Sequence, residues 1–293
     1  MRGDRDTTPA SRGTFLRDEA VRAYVPAWRG SATPTARHSP VLFRFFSRSF
    51  ARFFVRHMNA LRLAQWGGPP HLAAGEGPLV VYSNHPAWWD GVVYILSASR
   101  FFPKHEHYAP LDAAMLDKYY FFGRIGGYGI DLSGPRGAAA FLRDSADILS
   151  RPNRAIWIAA QGRFADVRER PLALKPGIAR LCELAPGAVV VPLAIEYAFW
   201  TERGGEACLA FGEPCAGRDL AGMPRRDRLA FLETALTRTL DRLSADVITR
   251  DPARFEVLLA GRAGIGGIYD HWRALVARLK GNRWDPAHER RAL

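Results

Sequence analysis

The sequence holds no run of 18 apolar residues free of charge, so nothing in it reads as a membrane-crossing helix. Cysteine is scarce. Cys182, Cys208 and Cys215 show neither metal-ligand spacing nor a paired framework, which argues against a zinc centre and a disulfide scaffold and for a reducing, cytosolic compartment. Lysine is as sparse, with only Lys104, Lys118, Lys175 and Lys280, yet the formal net charge is +12, carried by arginine. No acidic residue stands between Glu19 and Glu76. Neither a Gly-x-Ser-x-Gly elbow nor a glycine-rich loop ending in Lys-Ser/Thr occurs, so hydrolase and nucleotide-triphosphatase readings lack support. The opening residues mix Arg2, Asp4, Arg5, Asp6, Arg17, Asp18 and Glu19 without an apolar centre, unlike a secretory leader, and the expectation is a protein that stays inside the cell.

What the chain does hold is enough apolar material, 48% of 293 residues, for one large core. Its basic charge fits a polyanionic partner, either nucleic acid or an anionic membrane surface, and also fits an Arg- and Ala-rich composition with no partner behind it. Residues 1–38 carry scattered Pro, Gly, Ser and Thr and read as a loosely ordered lead-in.

Residues 39–70 change character. Leu42, Phe43, Phe46, Phe50, Phe53, Phe54, Met58 and Leu61 recur at three- and four-residue steps and predict a helix over 41–63, while Arg44, Arg48, Arg52, Arg56 and Arg62 fall on its other side. Two readings follow. The aromatic face enters a membrane interface with the guanidinium groups on lipid phosphates, or it packs on the core and leaves a solvated basic face. Phenylalanines backing the basic stripe, with no recognised nucleic-acid module beside it, argue against nucleic-acid binding.

Residues 71–215 alternate strand and helix patterns. Strands are expected at 79–83, 106–109, 127–131, 155–159, 188–196 and 207–211, and helices at 89–99, 111–121, 136–149 and 176–184. Such alternation predicts an α/β fold, a layered mixed sheet flanked by helices, with the chemistry in loops at strand ends. Residues 216–293 predict a helical C-terminal extension, with helices at 225–244, 251–260 and 269–280. The glycines at 261, 264, 266 and 267 read as a plain loop, because no strand leads into them.

The expected strand 79–83 delivers Asn84 and His85 to its end, and Asp90 follows at the next helix start. A histidine can take a hydroxyl proton as the oxygen attacks a carbonyl, provided an acceptor holds its other ring nitrogen and stabilises the imidazolium. Asp90 is placed to be that acceptor.

This His-x4-Asp segment resembles the first motif of the glycerolipid acyltransferase superfamily, of the bacterial lysophosphatidic acid acyltransferase type. Three further blocks follow in the family's order. Gly126-Gly-Tyr-Gly-Ile-Asp131 is similar to the second, with Leu132 where arginine is usual and Arg136 as the nearest substitute. Gln161-Gly162-Arg163 with Lys175-Pro-Gly177 resembles the third, with Gln161 in place of glutamate, and Val189-Val-Val-Pro192 resembles the fourth. Ala87 occupies a place where a small hydroxyl residue is common.

The resemblance implies transfer of an acyl group from acyl-CoA or acyl carrier protein to a lysophospholipid or related lipid alcohol, at the cytoplasmic face of the membrane and without a metal or prosthetic group. His85 and Asp90 would be catalytic. Asn84, Gln161, Gly162, Arg163, Lys175 and Arg136 would line the substrate site, with backbone donors near Gly162 steadying the oxyanion. The competing reading is an inactive lipid-binding or carrier-docking protein of the same fold. His105 and His107 alternate on one expected strand face without a third ligand and read as strand residues.

Overall fold

The computed structural model describes residues 33–72, 77–131, 134–261, and 276, 278 and 279. A short helix α1 (Pro34–Arg37) leads into α2 (Pro40–His57), capped by the Ser39 hydroxyl on the Leu42 amide and started by a proline whose missing N–H costs nothing there. The described residues then build a mixed sheet of nine strands. Its strands are β1 (Met58–Ala64), β2 (Leu79–Ser83), β3 (Glu106–Asp112), β4 (Gly127–Ile130), β5 (Arg154–Ala159), β6 (Val189–Ala198), β7 (Gly205–Phe211), β8 (Cys215–Ala216) and β9 (Phe255–Ala260). The spatial order is β4-β3-β5-β2-β6-β7-β1-β9, with β8 on β6. From β4 to β6 all neighbours are parallel, so these strands end at one edge. β7 runs antiparallel to β6, β1 parallel to β7, and β9 antiparallel to β1.

Helices cover both faces. α3 (Asp90–Phe101) packs with α2 on one side, while α5 (Pro135–Ile148), α6 (Gly177–Leu184) and α8 (Arg225–Thr249) lie on the other. Between them come α4 (Ala113–Lys118), a 3-10 turn at Tyr120–Ile125 and α7 (Gly217–Ala221). β2 shows why the central strands read as unbroken apolar runs. Leu79 and Val81 meet the α2/α3 layer, Val80 and Tyr82 meet the α5/α6/α8 layer, and both sets are buried. The Tyr82 hydroxyl donates to the Leu232 carbonyl at 3.1 Å and ties α8 to the sheet centre.

Three expected elements differ. The helix expected over 41–63 stops at His57, and Met58–Ala64 forms β1, inserted between β7 and β9 and buried along its whole length. Burial on both sides removes the alternation that marks a strand, so its apolar residues continued a helical pattern. Arg62 accordingly leaves the exposed basic face. It lies buried in β1 and bonds Glu206 at 2.7 Å, with its guanidinium 4.8 Å from the Trp200 ring.

The segment expected as helix 251–260 is instead a 3-10 turn, Pro252–Arg254, followed by β9. Arg250 ends α8 in a left-handed conformation, and the open edge of β1 supplies a pairing partner that no local pattern announces. Residues 111–121 divide: β3 runs on to Asp112, whose carboxylate then caps α4 on the Ala114 amide. Leu132 and the glycines at 264, 266 and 267 lie outside the described residues, as does the helix expected at 269–280 except for 276, 278 and 279. Among the described residues no helix is long and apolar enough to cross a membrane.

Candidate active site

β2 and β6 set the site through their unequal lengths. Their pairing ends with Ser83 opposite Leu193, but β6 continues to Ala198 and overhangs the loop that leaves β2. Asn84 bridges that step with its side chain, its Oδ1 accepting from the Ile195 amide at 2.9 Å and its Nδ2 donating to the Ile195 carbonyl at 2.8 Å. The side chain thus extends the ladder by one rung, and the amide orientation follows from its bonding to a backbone N–H.

His85 comes next, and its backbone is held at both ends. Its N–H donates to Gln161 Oε1 at 2.8 Å, and its carbonyl accepts from the Ala165 amide at 3.0 Å. Gln161 Nε2 in turn donates to the Leu172 carbonyl at 3.0 Å. Gln161 and Asn84, expected to line the substrate site, are both buried and spend their amide groups on the protein itself. They place the histidine; neither is turned outward.

The imidazole Nδ1 lies 2.6 Å from Asp90 Oδ2. Asp90 opens α3 and its side chain is wholly buried; a carboxylate accepts, so Nδ1 is the donor in this bond and Nε2 is the ring nitrogen that faces away from it. The His85 side chain retains 24% exposure, which gives Nε2 access to solvent and to a substrate. Asp90 is satisfied on both oxygens. Oδ2 also accepts from the Ala87 amide at 3.3 Å, and Oδ1 accepts from the Tyr197 hydroxyl at 2.7 Å. Burial, and then the Asp90 charge, hold the Tyr197 phenol well above its ordinary range, so it remains a donor.

Behind this pair, the Tyr94 hydroxyl bonds Ser83 Oγ and closes the interior side. In front, the Phe164 ring lies 4.3 Å from the His85 ring at an interplanar angle of 31°, and it is exposed. Trp88 is exposed beside the dyad, and Trp89 stacks on Phe53 of α2 at 5.3 Å. The catalytic candidate therefore sits under an open aromatic rim. Sequence reading missed Tyr197, Tyr94 and Phe164; Tyr197 in particular lies 107 positions from its partner, and no local pattern signals it.

The remaining expected residues are distributed unevenly. Gly162 adopts a positive φ of +62°, and a Cβ there would stand 3.0 Å from Lys175 Cγ, so a side chain would be strained in the turn and would push on that lysine stem. Its own N–H donates to the Ala159 carbonyl at 3.0 Å, so it is not turned toward an oxyanion. Arg163 is exposed and pairs with Glu169, while Lys175, just before α6, is exposed with its stem against Gly162. Arg136 lies in the first turn of α5, which follows β4, a strand three places from β2 in the sheet.

His107 is buried, with Nε2 on the Phe102 carbonyl at 3.0 Å and Nδ1 on Trp157 Nε1 at 3.2 Å, and burial depresses its pKa to about 3. Among the described residues no group of three or more His, Cys, Asp or Glu side chains is placed to hold a metal ion. A scan against protein-family models gives no match, and no curated protein matches the chain.

Proposed function

We propose that this chain is an acyl-transferring enzyme built on a His-Asp dyad. More particularly, we propose an O-acyltransferase of the glycerolipid type, moving a fatty acyl group from acyl-CoA or acyl carrier protein to the hydroxyl of a lysophospholipid or related lipid alcohol. The observation that carries this reading is the 2.6 Å bond between His85 Nδ1 and the buried Asp90, which turns the other ring nitrogen, Nε2, to the open side. Nε2 takes the acceptor's hydroxyl proton as the oxygen attacks the thioester carbonyl. The C–S bond then breaks, and the imidazolium returns its proton to the leaving thiolate. Asp90 stabilises the imidazolium between these steps.

The acceptor's setting is read from α2. Its aromatic face is largely used against the core, with Phe43 and Phe54 buried, while Arg44, Arg48, Arg52 and Arg56 are exposed beside Val41, Phe45 and Phe53. Such a face supports peripheral docking on anionic lipid through charge, with a few apolar side chains at the interface. Lys175, whose stem lies against Gly162, and Arg163 beside it in sequence are exposed cations for a phosphate on either substrate.

The test is thiol release from acyl-CoA with a panel of lysolipids. Wild-type protein is expected to release thiol in an acceptor-dependent manner, and a folded His85→Ala variant to lose this activity. Full activity in that variant refutes the mechanism. Liposome binding by the wild type without turnover on any donor favours a lipid-binding protein of the same fold.

A further inference from the structure

We infer that Tyr197 is a positioning residue for the dyad: the hydroxyl of this half-buried side chain holds Asp90 Oδ1 and thereby sets both the aim of the carboxylate and the proton affinity of His85. The inference rests on the acyl-transfer reading for its kinetic consequence and on geometry alone for its electrostatic one. Asp90 offers two oxygens in a fully buried site, with three donors upon them. Two of these donors, His85 and Ala87, lie on the six-residue loop between β2 and α3 and converge on Oδ2. A carboxylate held through one oxygen can still swing about its Cβ–Cγ bond. The Tyr197 bond to Oδ1 is the second point that fixes the plane, and it comes from the part of β6 that overhangs β2 and is held by β7, Tyr197 standing opposite Ala207.

The same bond also takes up part of the carboxylate's charge. A hydroxyl donating to Oδ1 lowers the negative potential felt at Oδ2, and with it the stabilisation given to the imidazolium. Removing that donor therefore raises the pH at which the dyad takes its first proton, whether the proton is counted on His85 or on Asp90. Among the described residues, the other titratable groups near the dyad do not share this contact. Tyr94 of α3 bonds Ser83, His57 of α2 lies by the Trp89 ring, and Gln161 and Phe164 on the β5 side are uncharged. Arg163 is paired with Glu169, and Lys175 is exposed against Gly162.

The test is Tyr197→Phe, with Tyr94→Phe as the comparison and the His85 ring followed by NMR titration, its signal assigned by its loss in His85→Gln. In Tyr197→Phe the His85 midpoint is expected to rise by on the order of one pH unit. The acid limb of the kcat profile should move with it, and kcat should fall about tenfold at unchanged KM. Tyr94→Phe should leave the midpoint in place. Fluorotyrosine at position 197 keeps the shape and strengthens the donor, so the midpoint should fall, and this holds the test open if the phenylalanine variant does not fold. An unmoved midpoint in folded Tyr197→Phe, or equal shifts in both tyrosine variants, overturns the inference. If wild-type protein releases no thiol from any donor while the midpoint still moves, the acyl-transfer reading falls and the Tyr197 inference stands.

Discussion

Replacing Asp90 with asparagine changes one oxygen to an NH2 group in a site where all three neighbours are donors. With the NH2 group toward His85, it donates to Nδ1, the proton moves to Nε2, and the histidine can no longer act as base. With the NH2 group toward Tyr197, the phenol must turn to accept; the geometry survives, but the charge opposite the imidazolium is gone. The second arrangement sets the smaller loss. Unit charges about 4 Å apart at an effective dielectric of about 20 interact by about 4 kcal/mol. At one decade of rate for about 1.4 kcal/mol, the expected fall in kcat is roughly 1000-fold. The assay is thiol release at saturating acceptor, with urea denaturation alongside to show that the variant folds. The stability change should stay within about 1–3 kcal/mol, since only the hydrogen bonds of one buried group are altered. A folded Asp90→Asn variant retaining a tenth or more of wild-type kcat refutes the dyad.

Gln161→Ala strips partners from the His85 amide and the Leu172 carbonyl and is expected to cost about 1–3 kcal/mol by urea denaturation, with activity falling because the loop loses its hold on His85. His107 is buried neutral with a folded pKa of about 3 against an unfolded value of 6.5. The unfolded chain therefore binds the proton first on acidification, and the stability from this group is complete above pH 6.5 and declines as the pH falls toward 3. Burial lowers the His38 pKa and acts in the same direction. A His107→Gln variant, which can donate to Phe102 and accept from Trp157, should show a shallower decline in urea midpoint over that interval. Reversing the charge of Arg44, Arg48 and Arg52, all exposed on α2, should lower sedimentation with anionic vesicles while changing stability by less than about 0.5 kcal/mol. Unchanged sedimentation would leave that face merely solvated.

Much of this architecture was legible because it is local. A strand that buries both faces is a short apolar run, as Leu79–Ser83 and the first seven residues of Val189–Ala198 show; a helix against a sheet shows spaced apolar residues, as Asp90–Phe101 does. β1 and β9 were not legible. The first carries a helical apolar spacing in continuation of α2, and the second depends on the free edge that the first creates.

The opening residues of the site divide in the same way. By itself the sequence determined that His85 and Asp90 share one strand-loop-helix turn, because five residues of chain keep them close whatever else folds around them. The tertiary structure alone decided what surrounds them. Gln161 turns inward to the His85 amide, Gly162 gives its N–H to Ala159, Arg163 meets Glu169, and Tyr197 crosses from an overhanging strand to the free oxygen of Asp90. These contacts depend on which strands become neighbours and by how much one outruns another. Such registers are set by the closing of the whole sheet and its two helical layers, and residue spacing along the chain carries no record of them.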